Sequence, residues 1–229
     1  MNVLFVLTSH NKLGNTGEKT GFWIEEFASP YYFLNDAGAD ITLASPKGGQ
    51  PPIDPKSELP ESQTDATHRL IEDSITRGKL SQTKKLSEID ASHYDAIFYP
   101  GGHGPLWDLA NNADSIRLIE SFYSSGKPVA AVCHAPSVLL NAKTPEGAPI
   151  VQGRDVTGFT NSEETAVGLE NIVPFLLEDE LKSKGGQYRS ADEWAAFAIK
   201  DGLLITGQNP ASSKAVAEIL LNELAPVDT

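Results

Sequence analysis

The chain has 229 residues, 40% apolar and 21% charged, enough to bury the core of one α/β domain. Acidic residues outnumber basic ones 31 to 18, and a net charge of −13 excludes nucleic acid or an anionic membrane surface as partner, because both need a basic face. The single cysteine forbids an internal disulfide and fits a reducing, cytoplasmic setting.

Residues 1–8, MNVLFVLT, lack a basic leader and a cleavage site, so they read as a strand over 3–7 and not as a signal peptide. No apolar stretch approaches the roughly 18 residues that cross a bilayer. A polar loop over 9–20 leads to a helix over 21–37, stopped by Gly38, and a strand over 39–44. Strand, helix, strand predicts a parallel sheet. Residues 45–60 are rich in Pro, Gly and polar side chains and read as a long loop, followed by short polar helices over 65–77 and 81–89. Together, residues 45–91 read as an insertion over the sheet, a lid or a dimer surface. The rhythm resumes with a strand over 95–99, the turn Pro100-Gly101-Gly102, a helix over 114–125 closed by Gly126, a strand over 128–132 and a helix over 135–141. Runs at 196–199 and 203–206 flank Lys200-Asp201-Gly202 as a hairpin, and Asn209-Pro210 opens the last helix. With no repeat and no low-complexity linker, the expectation is one domain over 1–229.

Chemistry concentrates at PVAAVCHAPSVLL, where an apolar strand runs directly into a helical pattern with Cys133 at the junction. This is the setting of a nucleophile elbow, in which small residues two positions either side let the strand and helix backbones approach. Ala131 and Ala135 occupy those places. The elbow displays the thiol at the carboxyl end of a parallel strand and beside a helix N-terminus, which favours the thiolate. The local pattern is equally that of a buried, inert cysteine. Glycines 101 and 102 follow another strand, and the Gly102 N–H together with that of His134 can form an oxyanion site; an ordinary turn reads the same way. His134 follows the cysteine directly, and neighbouring residues rarely face each other, so it need not be a simple base. On the helix over 21–37, Trp23, Phe27, Pro30 and Leu34 mark an apolar face; Glu25 falls opposite and is expected to be solvated, whereas Glu26 falls on the flank, as a surface carboxylate or as an acid–base group with a raised pKa.

In order along the chain, LTSHN, KTGFWIEEFASP, ASPKGG, GGHGPLWDL, AAVCHAP, VTGFTNSEE and LITGQNPAS resemble the PfpI superfamily, and within it the heat-shock glyoxalase III (D-lactate dehydratase) group. The resemblance implies a flavodoxin-like three-layer sandwich with a mostly parallel sheet and an inserted cap segment. It also implies a Cys-His-acid constellation of Cys133, His134, Glu26 and Glu164, with the Gly101-Gly102 backbone and His134 at the oxyanion site. A glutamate, Glu163, stands where the family carries glycine before its second acid. The residue 50–90 segment matches the family poorly.

The implied activity is a lyase-type, glutathione-independent glyoxalase that turns methylglyoxal into D-lactate through a Cys133 hemithioacetal, with no metal or organic cofactor. A small reactive dicarbonyl is the expected partner, and a homodimer the expected assembly. No HxxxH or HxxE spacing suggests a metal. A protein deglycase, a stress-response chaperone (holdase) and a thiol sensor are the competing readings. A cysteine amidase or peptidase is a third. All five histidines lie at or before position 134, which argues against a glutaminase, whose catalytic histidine comes late.

Overall fold

In the first strand, alternation alone sorts the core: Leu4 and Val6 face one buried cluster and Val3 and Phe5 the other. An element buried on both faces belongs in the middle of a sheet. The computed structural model describes residues 1–225 and places it there.

The strands are β1 (Asn2–Val6), β2 (Asp40–Ser45), β3 (Lys84–Lys85), β4 (Ala96–Tyr99), β5 (Val129–Val132), β6 (Asp155–Val156), β7 (Gln187–Tyr188), β8 (Ala198–Asp201) and β9 (Leu204–Gly207). The α-helices are α1 (Ile24–Asp36), α2 (Asp65–Glu72), α3 (Ser74–Leu80), α4 (Pro105–Asp108), α5 (Ala113–Ser124), α6 (Asn161–Ala166), α7 (Leu177–Ser183) and α8 (Ser213–Leu224). Seven strands form one sheet in the order β3-β2-β1-β4-β5-β9-β8, parallel except for β8 against β9. A separate two-stranded ladder joins β6 and β7. Phe27, Tyr31 and Leu34 of α1 pack on one face of the main sheet with Val216 and Leu220 of α8. Leu118 and Phe122 of α5 pack on the other with Leu177 and Leu181 of α7. The expected α/β sandwich with a mostly parallel sheet is borne out. Each fully buried Phe or Leu in these layers contributes roughly 1.5–3 kcal/mol. Among the described residues no helix is long and apolar enough to cross a membrane.

Several local expectations change. Helix α1 starts at Ile24 and not at Gly21, because the Phe22 N–H is held by the Pro52 carbonyl at 2.9 Å, keeping residues 21–23 extended. The helix expected over 65–77 is two helices: Asp73 ends α2, and its carboxylate accepts from the N–H groups of Ile75 and Thr76 to start α3. The helix expected over 81–89 is instead edge strand β3 and a short 3₁₀ turn, Leu86–Glu88. Residues 45–91 therefore do not form a cap alone: they also extend the sheet and, through Leu70 and Leu80, pack against the α1 layer. The helix expected over 135–141 is a 3₁₀ helix, Ala135–Leu139, closed by i to i+3 bonds such as Ser137 N–H to His134 C=O at 3.1 Å.

Candidate active site

The carboxyl ends of β4, β5 and β9 come together beside the point where strand order reverses, the place where open α/β sheets bind ligands. At the end of β5, Cys133 holds φ at +63°, a left-handed conformation rare for a side-chain-bearing residue and costing about 1–3 kcal/mol. Two hydrogen bonds of 2.9 Å fix it: its N–H to the Gly207 carbonyl, and the Phe159 N–H to its own carbonyl. This is the backbone of a nucleophile elbow. The thiol is only 3% exposed.

His134 does face the thiol, with Nδ1 3.4 Å from Sγ, because the positive φ of Cys133 turns the two neighbouring side chains toward each other. Its Nε2 lies 2.6 Å from Oε2 of Glu164. The other oxygen of Glu164 lies 2.6 Å from Nε2 of His103. Burial works to raise the Glu164 pKa, but the two imidazoles overcome it and hold the carboxyl well below the usual range. An ionised carboxylate only accepts, so both Nε2 atoms carry protons and His134 turns a bare Nδ1 to the thiol. Burial, then the neighbouring His103, lowers the His134 pKa, keeping its imidazole neutral.

Glu26 projects from the first turn of α1 and is 1% exposed. Its Oε2 accepts the Gly101 N–H at 2.6 Å. Its Oε1 is buried and no N–H or O–H donates to it, and the Cys133 thiol lies close enough to the carboxyl to perturb it. Burial pushes the Glu26 pKa up to about 8, against the thiol and the Gly101 N–H, which lower it; Asp54 and Glu25 add to the rise. Burial and the Glu26 carboxyl likewise raise the Cys133 thiol well above its ordinary value. This corrects the expectation of a thiolate favoured by a helix N-terminus: a five-residue 3₁₀ turn offers little dipole, and carboxylates surround the sulfur.

Gly102 sits at φ +92°, and a Cβ there would fall 2.3 Å from the Gly21 carbonyl oxygen. Neither its N–H nor that of His134 has an acceptor among the described residues, so both can serve an oxyanion. Gly101 differs from expectation, since its N–H is already spent on Glu26. A Cβ at Gly101 would meet Glu26 Oε2 and the Val132 carbonyl, each at 2.5 Å.

Geometry also separates the two adjacent glutamates. Glu163 is fully buried and faces away from His134. Its carboxylate accepts from the Thr160 N–H and hydroxyl, Gln208, Asn209 and the Trp194 N–H, tying three chain segments together. Glu25, expected in solvent, is half-buried and accepts from the Thr64 hydroxyl.

Sequence reasoning passed over His103. It lies inside GGHGPLWDL, but nothing in its local pattern marks it; only folding stacks it on His134, at 3.9 Å between ring centroids. His103, His134 and Glu164 form the one cluster with metal-ligand spacing among the described residues, their donor atoms within 4.8 Å of one another. That donor set suits zinc, though each Nε2 is already engaged with the carboxylate. Because the three come from separate segments of the chain, no sequence spacing reveals them.

The fold and this elbow define a cysteine-centred α/β protein of the flavodoxin-like type. The model of the DJ-1/PfpI family matches residues 19–223, and the chain belongs to that family. It is 32% identical to the glutathione-independent glyoxalase HSP31 of Saccharomyces cerevisiae, over 94% of each chain. Among solved structures it resembles the rapid encystment protein REP24 of Francisella tularensis, with a TM-score of 0.94, 38% identity and coverage of 98% of this chain and 99% of that one. It also resembles glyoxalase III of Candida albicans, with a TM-score of 0.89, 30% identity and coverage of 97% and 96%.

Proposed function

We propose that the protein is a glutathione-independent glyoxalase that converts methylglyoxal to D-lactate. The observation that carries this reading is the buried Glu26 carboxyl next to the Cys133 thiol: one oxygen holds the Gly101 N–H, and the other, Oε1, has no backbone or polar side-chain donor and is free to take a proton. An isomerising enzyme needs such an atom, since a proton must leave one carbon and return to the next.

The Cys133 sulfur attacks the aldehyde carbon while its proton passes to Nδ1 of His134, 3.4 Å away. The N–H groups of Gly102 and His134 receive the developing oxyanion, which takes up a proton to give the hemithioacetal. Glu26, as carboxylate, removes the hydrogen on the former aldehyde carbon as a proton while the hydroxyl proton on that carbon passes to the neighbouring ketone oxygen, giving an enediolate; Glu26 then returns its proton to the second carbon. The product is a lactoyl thioester on Cys133. Water adds to it, the C–S bond breaks, and lactate leaves with the thiol regenerated. Methylglyoxal plus one water gives lactate, with no net electron transfer. Glu164 holds His134 in the tautomer the first step needs, and His103 supports Glu164.

A redox-sensing role fits less well, because oxidation needs an accessible thiolate and this sulfur is buried and held protonated. On the family resemblance we place the enzyme in the cytoplasm as a homodimer, the latter checked by light scattering. The decisive assay is D-lactate formation from methylglyoxal without glutathione or added metal. Turnover in the wild type that disappears in Cys133→Ala and Glu26→Gln supports the mechanism; unchanged turnover in Cys133→Ala overturns it.

A further inference from the structure

A cavity of about 300 Å³ is lined by residues from the start of α1, from 61–64, from 194 and from 209–211, none of them a catalytic group. Its lining includes two indoles, Trp23 and Trp194, and two carboxylates, Glu25 and Glu61, with no lysine or arginine. Neither carboxylate forms an ion pair among the described residues. Glu25 is half-buried, so its charge is poorly hydrated; its hydrogen bond comes from the neutral Thr64 hydroxyl.

The walls are held in place by the catalytic scaffold. The Trp23 N–H donates to the Gly101 carbonyl at 3.1 Å. Trp194, 46% exposed, keeps φ at +64°, and its N–H is bound to buried Glu163 at 3.1 Å. A bulky residue in that conformation persists only where its surroundings fix it. Its indole meets Phe159 edge-on at 5.7 Å, and Phe159 lies 4.3 Å from the His134 ring.

Aromatic faces and unpaired carboxylates around one space are what an organic cation seeks. We infer that this cavity is a binding site for a guanidinium or alkylammonium group, held between Trp23 and Trp194 and neutralised by Glu25 and Glu61. The site is defined without the Cys133 chemistry and stands apart from the glyoxalase reading. The net charge of −13 concentrates such cations near the protein.

The test is a binding titration, followed by tryptophan fluorescence and calorimetry at about pH 8 and low salt, where carboxylates are ionised. The probes are pentylguanidinium and its neutral isostere pentylurea. The wild type is expected to prefer the cation by about tenfold or more, and added salt to erode the preference. The double variant Glu25→Gln/Glu61→Gln, with its fold checked by circular dichroism, is expected to lose the preference while still binding the neutral probe equally weakly. A third arm uses a blocked Gly-Arg-Gly peptide: binding as tight as pentylguanidinium identifies arginine side chains as the source, and binding of the free cation alone identifies small amines. Equal affinity for the two pentyl probes, or no binding of the cation, overturns the inference. Neither result depends on turnover of methylglyoxal.

Discussion

Replacing Glu26 with glutamine separates what this carboxyl does for catalysis from what it costs the fold. The amide keeps the shape and an oxygen to accept the Gly101 N–H, now 2.6 Å from Oε2, but cannot take up a proton. Turnover is expected to fall about 10²–10⁴-fold, the usual worth of a positioned acid–base group. Stability moves the other way. In an unfolded chain the carboxyl titrates near 4.5, and in the fold burial pushes it up to about 8. Below 4.5 it is protonated in both states and imposes no penalty. As pH rises toward 8, the unfolded state ionises freely while the folded state must either keep its proton or bury a charge, so the native state loses stability across that window. At about 1.4 kcal/mol per pH unit, the loss approaches roughly 5 kcal/mol above pH 8. Asp54 and Glu25 also face the carboxyl and are unchanged by the substitution; a shared Cys133→Ala background removes the thiol's own titration and, because the thiol lowers the Glu26 pKa, widens the expected difference. Thermal melts of the two proteins should nearly coincide at about pH 5 and separate by roughly 10 °C at about pH 9, with Glu26→Gln the more stable. A Tm difference that stays constant over this range would refute the assignment of Glu26 as a buried, high-pKa carboxyl.

The wild-type rate should follow the same titration: kcat/KM rises with pH through about 8 as Glu26 becomes a base, and a profile flat from about pH 6 to about pH 9 argues for another proton carrier. Glu164→Gln should cut kcat by at least about tenfold in a folded protein, whereas Glu163→Gln, which disturbs five accepted hydrogen bonds, should chiefly lower Tm, by about 2–3 kcal/mol of stability; melts beside kinetics would expose a swapped assignment. His103→Ala leaves Glu164 Oε1 unpaired and should cost about 1.5–3 kcal/mol by urea unfolding, with reduced kcat and little change in KM. Gly101→Ala drives a methyl to 2.5 Å from Glu26 Oε2 and the Val132 carbonyl, so both activity and stability should fall, the latter by about 1–3 kcal/mol; a fully active variant would mean the turn is slacker than described.

Much of this protein was legible in residue order because the controlling forces are local or periodic. Short apolar runs at 3–7, 96–99 and 129–132 read as strands buried on both faces, and the strand–helix alternation makes their sheet parallel. The small residues either side of Cys133 marked an elbow, and helical phase placed Glu26 on the flank of the apolar stripe and Glu25 off it. Where distant segments compete with local pattern, that reading fails. The start of α1 was decided by Pro52, the fate of residues 81–89 by an open edge at β2, and the setting of Glu25 by the distant Thr64, whose hydroxyl donates to it. Nothing local distinguishes Glu163 from Glu164: both open the same short helix, and one turn of backbone sends the first to Gln208 and Asn209 and the second to His134. His103 has no sequence signature because its partners lie 31 and 61 positions further along the chain, on β5's exit and on α6. The protonation of the thiol was likewise decided by tertiary structure, since burial and the nearby Glu26, Glu163 and Glu164 depend on helices α1 and α6, which only folding brings to one strand end.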